Sequence, residues 1–185
     1  CATSRTRQRQ KGLAVSAAPH DQSLPLLTGN GRGRALVAWN DTRDSSIDIY
    51  AAPLVLGPTE ESTVPDGNLA STASGDQSND ALAPARWIVP DGAGGAYLAW
   101  EHRPDIDADV VVQRVDAQGS PVESWPEGGI IVGGAPGDQT RPALAADGSG
   151  GVFVAWQDER DPFAAANRTV SISSREWSNQ LVPDA

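Results

Sequence analysis

The chain contains no methionine, one cysteine, two histidines and few aromatic side chains, 5% of 185 residues. A lone cysteine has no internal partner, so no disulfide braces the fold and packing alone must hold it. The histidines, His20 and His102, stand far apart and outside any His-x-x-x-His or Cys-x-x-Cys-His spacing, so neither a zinc nor a haem site is expected. The longest apolar runs, such as Ala35 to Trp39 and Val152 to Trp156, fall far short of the roughly 20 residues that cross a bilayer as a helix. No Gly-x-Ser-x-Gly nucleophile elbow is present, since Gly148-Ser149-Gly150 belongs to a turn that recurs elsewhere in the chain. The same recurrence excludes a phosphate-binding loop. Asp105, Asp107 and Asp109 alternate with Ile106 and Ala108, without the glycine and the closing glutamate of an EF-hand. They read as a solvated acidic loop. No catalytic residue, metal or cofactor is expected.

What is abundant is turn chemistry. Nineteen glycines and fourteen prolines accompany a modest 39% apolar content, and long runs of strong helix formers are missing. That composition suits short strands joined by many turns, an all-β class. The formal charge is −10 and unevenly spread. Arg5, Arg7, Arg9 and Lys11 make residues 1–12 purely basic, which leaves 10 basic against 24 acidic side chains in the remainder, a net of −14. A body this acidic is repelled by a phosphate backbone, so nucleic acid is not an expected partner.

Three copies of one pattern organise the chain. Asp21-Gln22 and Asp138-Gln139 each lie 18 residues before a tryptophan, Trp39 and Trp156. A third pair, Asp76-Gln77, lies 24 residues before Trp100, which places an insertion of six residues around Asn79 to Pro90. An Asn-Gly or Asp-Gly pair stands 9 residues before each tryptophan, at Asn30, Asp91 and Asp147. Such pairs mark tight hairpin turns. The strands that follow alternate: Ala96, Leu98 and Trp100 share one face, Tyr97 and Ala99 the other. Being apolar on both faces, they are expected to lie buried between neighbouring sheets. Further strands are expected at 47–50 and 109–115, a short one at 129–132, and a more polar one at 167–173, giving about four strands per unit.

Around each tryptophan the polar residues read as structural. Asp41/Arg43 and Asp158/Arg160 form Asp-x-Arg pairs after the strand, whereas the middle copy has Glu101-His102-Arg103. A catalytic constellation needs one intact set, not a loosely repeated one. The three tryptophans are expected in the core, and Trp87 and Trp125 keep an exposed ligand role open.

Units of the form Asp-Gly-x-Gly-Gly…Ala-Trp-x-Asp-x-Arg resemble the blades of bacterial secreted β-propellers, and a chain that begins with cysteine resembles a mature bacterial lipoprotein. The resemblance implies a lipidated Cys1 on a basic tether, residues 1–14. Blades at about 15–70, 71–132 and 133–185 follow it as one propeller-like domain of four-stranded antiparallel sheets. Three blades are too few to close a ring, for which about four are needed. The array is therefore open, or completed by a partner or by a homodimer. The resemblance implies a non-catalytic, extracytoplasmic accessory or scaffolding subunit, anchored to a membrane and docked on a larger membrane-associated complex. A cell-surface carbohydrate-binding module is the alternative.

Overall fold

A computed structural model describes residues 14–29, 34–55, 66–79, 87–160 and 169–175. Cys1 and all but the last residue of the basic tether lie outside them. The architecture is all-β: every sheet is antiparallel, and the described residues contain no helix.

The first sheet joins β1 (Gln22–Gly29), β2 (Arg34–Asp41), β3 (Asp48–Val55) and β4 (Asn68–Leu69) in chain order. The second repeats this plan with β7 (Ala96–Arg103), β8 (Asp109–Val115) and β9 (Ile130–Gly133). Its first position is split between β5 (Asp76–Ser78) and β6 (Ile88–Pro90), both paired to β7. The third sheet orders β10 (Gln139–Ala146), β11 (Val152–Asp158) and β12 (Thr169–Arg175).

Register explains the split. In the first sheet the pairing slips between Ser23 and Leu26, and in the third between Thr140 and Ala143, so each carries a two-residue bulge. In the second sheet Ser78 pairs with Glu101, and Ala99 next donates to the Trp87 carbonyl at 2.9 Å. Eight residues fill the interval that two fill elsewhere. The six-residue insertion thus sits at the bulge, where the ladder is already broken.

The sheets pack in sequence. Leu36, Ala38, Ile49 and Ala51 of the first meet Ala96, Leu98, Trp100 and Val111 of the second in one buried cluster. The opposite face of the second sheet, with Tyr97, Ala99, Val110 and Val112, meets Leu144, Val152, Val154 and Trp156 of the third. Each repeated tryptophan therefore points back at the sheet before it. Trp39 has no such sheet among the described residues, and its face, shared with Val37, Tyr50 and Ala52, is covered by Val15, Leu54 and Leu69.

Candidate functional site: the inter-sheet clamps and a polar cleft

The Asp-Gln signature acts between units. Asp76 accepts a hydrogen bond from the Ile47 amide at 3.2 Å through its carboxylate, while the Gln77 amide donates to the Ile47 carbonyl at 2.6 Å. One repeat further, Asp138 accepts from the Ala108 amide at 2.9 Å and the Gln139 amide donates to the Ala108 carbonyl at 2.7 Å. Ile47 and Ala108 hold the same place, immediately before β3 and β8. Each clamp thus reads both main-chain groups of one residue in the preceding sheet, whatever its side chain. The glutamines also brace the approaching loop: Gln77 donates through Nε2 to Ala73, and Gln139 to Gly137. Both are fully buried.

Two features shape the clamp. The residue before Asp-Gln adopts a positive φ in all three units, at His20, Gly75 and Gly137. At Gly75 and Gly137 a Cβ would come within 2.6 and 2.5 Å of the carbonyl oxygens of Arg103 and Glu159, so glycine is the residue that fits. The bulge supplies the other feature. Leu24 and Arg141, at the same position, hold φ of 53° and 55°, a conformation that costs a side-chain-bearing residue about 1–2 kcal/mol. At Arg141 the strained amide donates to the buried Glu101 carboxylate of the preceding unit at 2.9 Å. Asn40, equivalent to Glu101, reaches the Asn79 carbonyl at 3.4 Å.

Within units, the Asp-x-Arg pairs pin the loop after the second strand. Asp41 has an inaccessible side chain and accepts from Trp39 Nε1 at 2.9 Å, and from the Arg43 amide and guanidinium at 2.9, 3.0 and 2.6 Å. Burial pushes its carboxyl up, but the hydrogen bonds from Arg43 and Trp39 together outweigh burial and leave it below the ordinary value. The same guanidinium lies 3.7 Å over the Tyr50 ring and donates to the Asp66 carbonyl. Asp158 and Arg160 repeat the ion pair. Counting from tryptophan, His102 holds the place of these aspartates, and its ring nitrogen lies 2.7 Å from the Ser74 carbonyl. Arg103 stands one position short of Arg43 and Arg160 and instead joins Asp138 of the next unit at 3.3 Å.

The Asp-Gly turns are self-contained. Asp91 accepts the amides of Ala93 and Gly95, both at 2.8 Å, and the Arg114 guanidinium. Asp147 accepts those of Ser149 and Gly151, and the Ser149 amide foremost holds its carboxyl below the ordinary range. Asn30 lies outside the described residues.

Trp39, Trp100 and Trp156 are buried, as are Trp87 and Trp125. Trp125 packs on Tyr97 with ring centroids 5.7 Å apart, so the exposed ligand role left open for these two does not fit their placement. Asp105 and Asp107 lie in an exposed loop, and Asp107 accepts from the Gly137 amide. Among the described residues no three His, Cys, Asp or Glu side chains gather as a metal site.

Two hollows remain. A polar cleft of about 320 Å³ lies between the second and third sheets, lined by Ser78, Glu101, Arg103, Thr140, Arg141, Gln157 and Glu159. Its charged groups are engaged with one another and with the clamps. The other hollow, about 430 Å³ and apolar, lies on the third sheet and is lined by Ala143, Leu144, Ala145, Phe153, Val154 and Ala155. Phe153 is 44% exposed there, whereas Tyr97, its equivalent in the second sheet, is buried and donates to the Gly150 carbonyl. Sequence alternation placed Phe153 in a buried strand; its exposure comes from the sheet's position at the end of the described stack.

No family model, curated protein or solved structure matches the chain.

Proposed function

We propose that this protein is a non-catalytic, propeller-like docking module, an accessory subunit whose sheets present surfaces to a larger membrane-associated assembly. One observation carries the reading: the repeated polar signature is spent on holding the sheets together. Asp41, Asp76, Asp91, Asp138 and Asp158 each accept hydrogen bonds from backbone amides or arginines. Carboxylates committed to backbone amides and arginines in this way serve the fold, and a pattern so spread over three units supplies no single intact constellation for chemistry. Recognition then falls to surface shape and apolar area, and the third sheet offers both around Phe153.

The test uses the chain carrying a photo-crosslinking residue at position 153, in native membranes. The expected outcome is one discrete, saturable adduct that an added excess of unlabelled wild type suppresses and an excess of Phe153→Ser does not. A protein that yields no adduct and elutes free after mild detergent extraction would sink the proposal.

A further inference from the structure

Among the described residues, six buried side-chain atoms lack a hydrogen-bond partner: Asn40 Oδ1, Gln77 Oε1, Asn79 Nδ2, Trp100 Nε1, Gln139 Oε1 and Trp156 Nε1. Three are acceptors and three are donors, and all belong to residues at the two junctions between sheets. A native fold rarely keeps a buried polar group unpaired, because nothing repays the water it gave up. The Asn40 and Asn79 amides already meet, since Asn40 Nδ2 donates to the Asn79 carbonyl at 3.4 Å. The other four atoms form two equivalent sets, one indole N–H and one glutamine oxygen in each.

Register brings each set together. Gln77 pairs with His102 and Gln139 with Asp158, each two residues beyond the tryptophan of its strand. Residues two apart share a face, so each glutamine is the diagonal neighbour of its tryptophan. At the second junction a Cβ on Gly133 would stand 2.8 Å from Trp156 Nε1 and 3.4 Å from Gln139 Cγ, so the two side chains converge beside that glycine. The amides are not free to turn their donor ends elsewhere: Nε2 of Gln77 is held by the Ala73 carbonyl at 2.7 Å and that of Gln139 by the Gly137 carbonyl at 2.8 Å. The first unit solves the same problem differently, because Trp39 Nε1 donates directly to Asp41 at 2.9 Å. In the second unit His102 takes that place and faces the Ser74 carbonyl, and in the third Asp158 is engaged by Arg160.

We infer that Trp100 with Gln77, and Trp156 with Gln139, each bind one buried water molecule, which accepts from the indole N–H and donates to the glutamine Oε1. The chemistry of the two groups selects this ligand. An indole nitrogen only donates, which excludes a metal ion, and an amide oxygen only accepts, which excludes an anion. The molecule between them must accept and donate at once, carry no charge and be small enough for the interior, and water meets all three conditions. Each water ties the repeated tryptophan into the clamp, in a line from indole to water to glutamine to the carbonyl of Ala73 or Gly137. The Gln of the Asp-Gln signature thereby gains a role that its backbone amide does not fill. The inference concerns the junctions alone and stands or falls separately from docking on an assembly.

Water-selective NMR on the isotope-labelled full chain tests it. The indole protons of Trp100 and Trp156 are expected to show rotating-frame Overhauser cross-peaks to water, with the sign of dipolar contact and not of proton exchange. Trp39, whose indole N–H is taken by Asp41, is expected to show none. Gln139→Met keeps the length of the side chain and removes the acceptor, so the Trp156 cross-peak should be lost while that of Trp100 remains. Gln77→Met should do the converse. Thermal melting of each variant checks folding, and where a variant does not fold, the wild-type comparison of Trp100 and Trp156 with Trp39 decides. Silence at Trp100 or Trp156, an equal cross-peak at Trp39, a scalar coupling across a direct indole-to-glutamine bond, or a Trp156 cross-peak that survives Gln139→Met overturns the assignment.

Discussion

Asp138→Ala and Asp21→Ala remove the same residue from the same motif, and the structure assigns them unequal consequences for stability. In the third unit the substitution deletes the 2.9 Å bond from the Ala108 amide and the 3.3 Å contact with Arg103. A hydrogen bond to a charged acceptor contributes about 1.5–3 kcal/mol, and its loss leaves the amide of the buried Ala108 without its acceptor. The ion pair adds less than about 1 kcal/mol, because both side chains are 37% exposed and well screened. The Gln139 amide keeps its bond to the Ala108 carbonyl, so the clamp is halved rather than lost. The expected destabilisation is about 2–3 kcal/mol, which for a domain of this size lowers Tm by about 4–12 °C. In the first unit the carboxylate faces no strand among the described residues, so Asp21→Ala should cost less than about 0.5 kcal/mol in the monomer, as surface substitutions do. Urea titration and calorimetry of both variants, at a concentration where the chain is monomeric, provide the comparison. Equal losses, or a larger loss for Asp21→Ala, would refute the clamp as the element that joins sheet to sheet.

Three further outcomes follow from the geometry. Asp41→Asn should cost about 1–3 kcal/mol at neutral pH, the price of a charged acceptor shared by Arg43 and Trp39. Because the folded carboxyl titrates below its ordinary value, that stabilisation is present above about pH 4 and is lost as pH falls through the lower folded value; the gap between variant and wild type should close in acid denaturation. Asp109 has the opposite sign. Burial, ahead of the repulsion from Asp107, raises its carboxyl despite the attraction of His102. Asp109→Asn should therefore stabilise the fold modestly, by up to about 1 kcal/mol at neutral pH, with the gain fading as pH drops through the raised value; chemical denaturation at neutral and acid pH measures it. Gly137→Ala should lower stability by about 2–4 kcal/mol, since its φ of 90° and the Glu159 carbonyl leave a methyl group no room; thermal melting reports the loss.

Much of the fold was legible because the repeat is written in residues with narrow conformational roles. The Asp-Gly turns before β7 and β11, the alternation through Trp100 and Trp156, and the six-residue insertion all fall where the spacing places them. The third strand of the last unit was expected at 167–173 and runs over Thr169–Arg175. The clamp was not legible. Asp76 and Asp138 were visible as repeated positions, but their partners are main-chain groups of Ile47 and Ala108, which have no sequence signature. The sequence set Arg103 apart from the Asp-x-Arg pairs, but it did not reveal its partner. One position of offset on an extended chain lets its guanidinium reach Asp138 of the next unit while it still donates to the Ile106 carbonyl of its own loop. The exposure of Phe153 escaped for a different reason: local pattern reports which residues are apolar, and only tertiary order reports which sheet stands last.

The bulge in the first strand of each sheet has a use beyond geometry. Two residues occupy it at Leu24-Pro25 and Arg141-Pro142, eight occupy it in the second sheet, and the pairing on either side keeps its register in all three. Length added there does not propagate. It is a port through which a foreign loop can enter the sheet without retuning a single ladder bond, and the middle unit records one such entry already made.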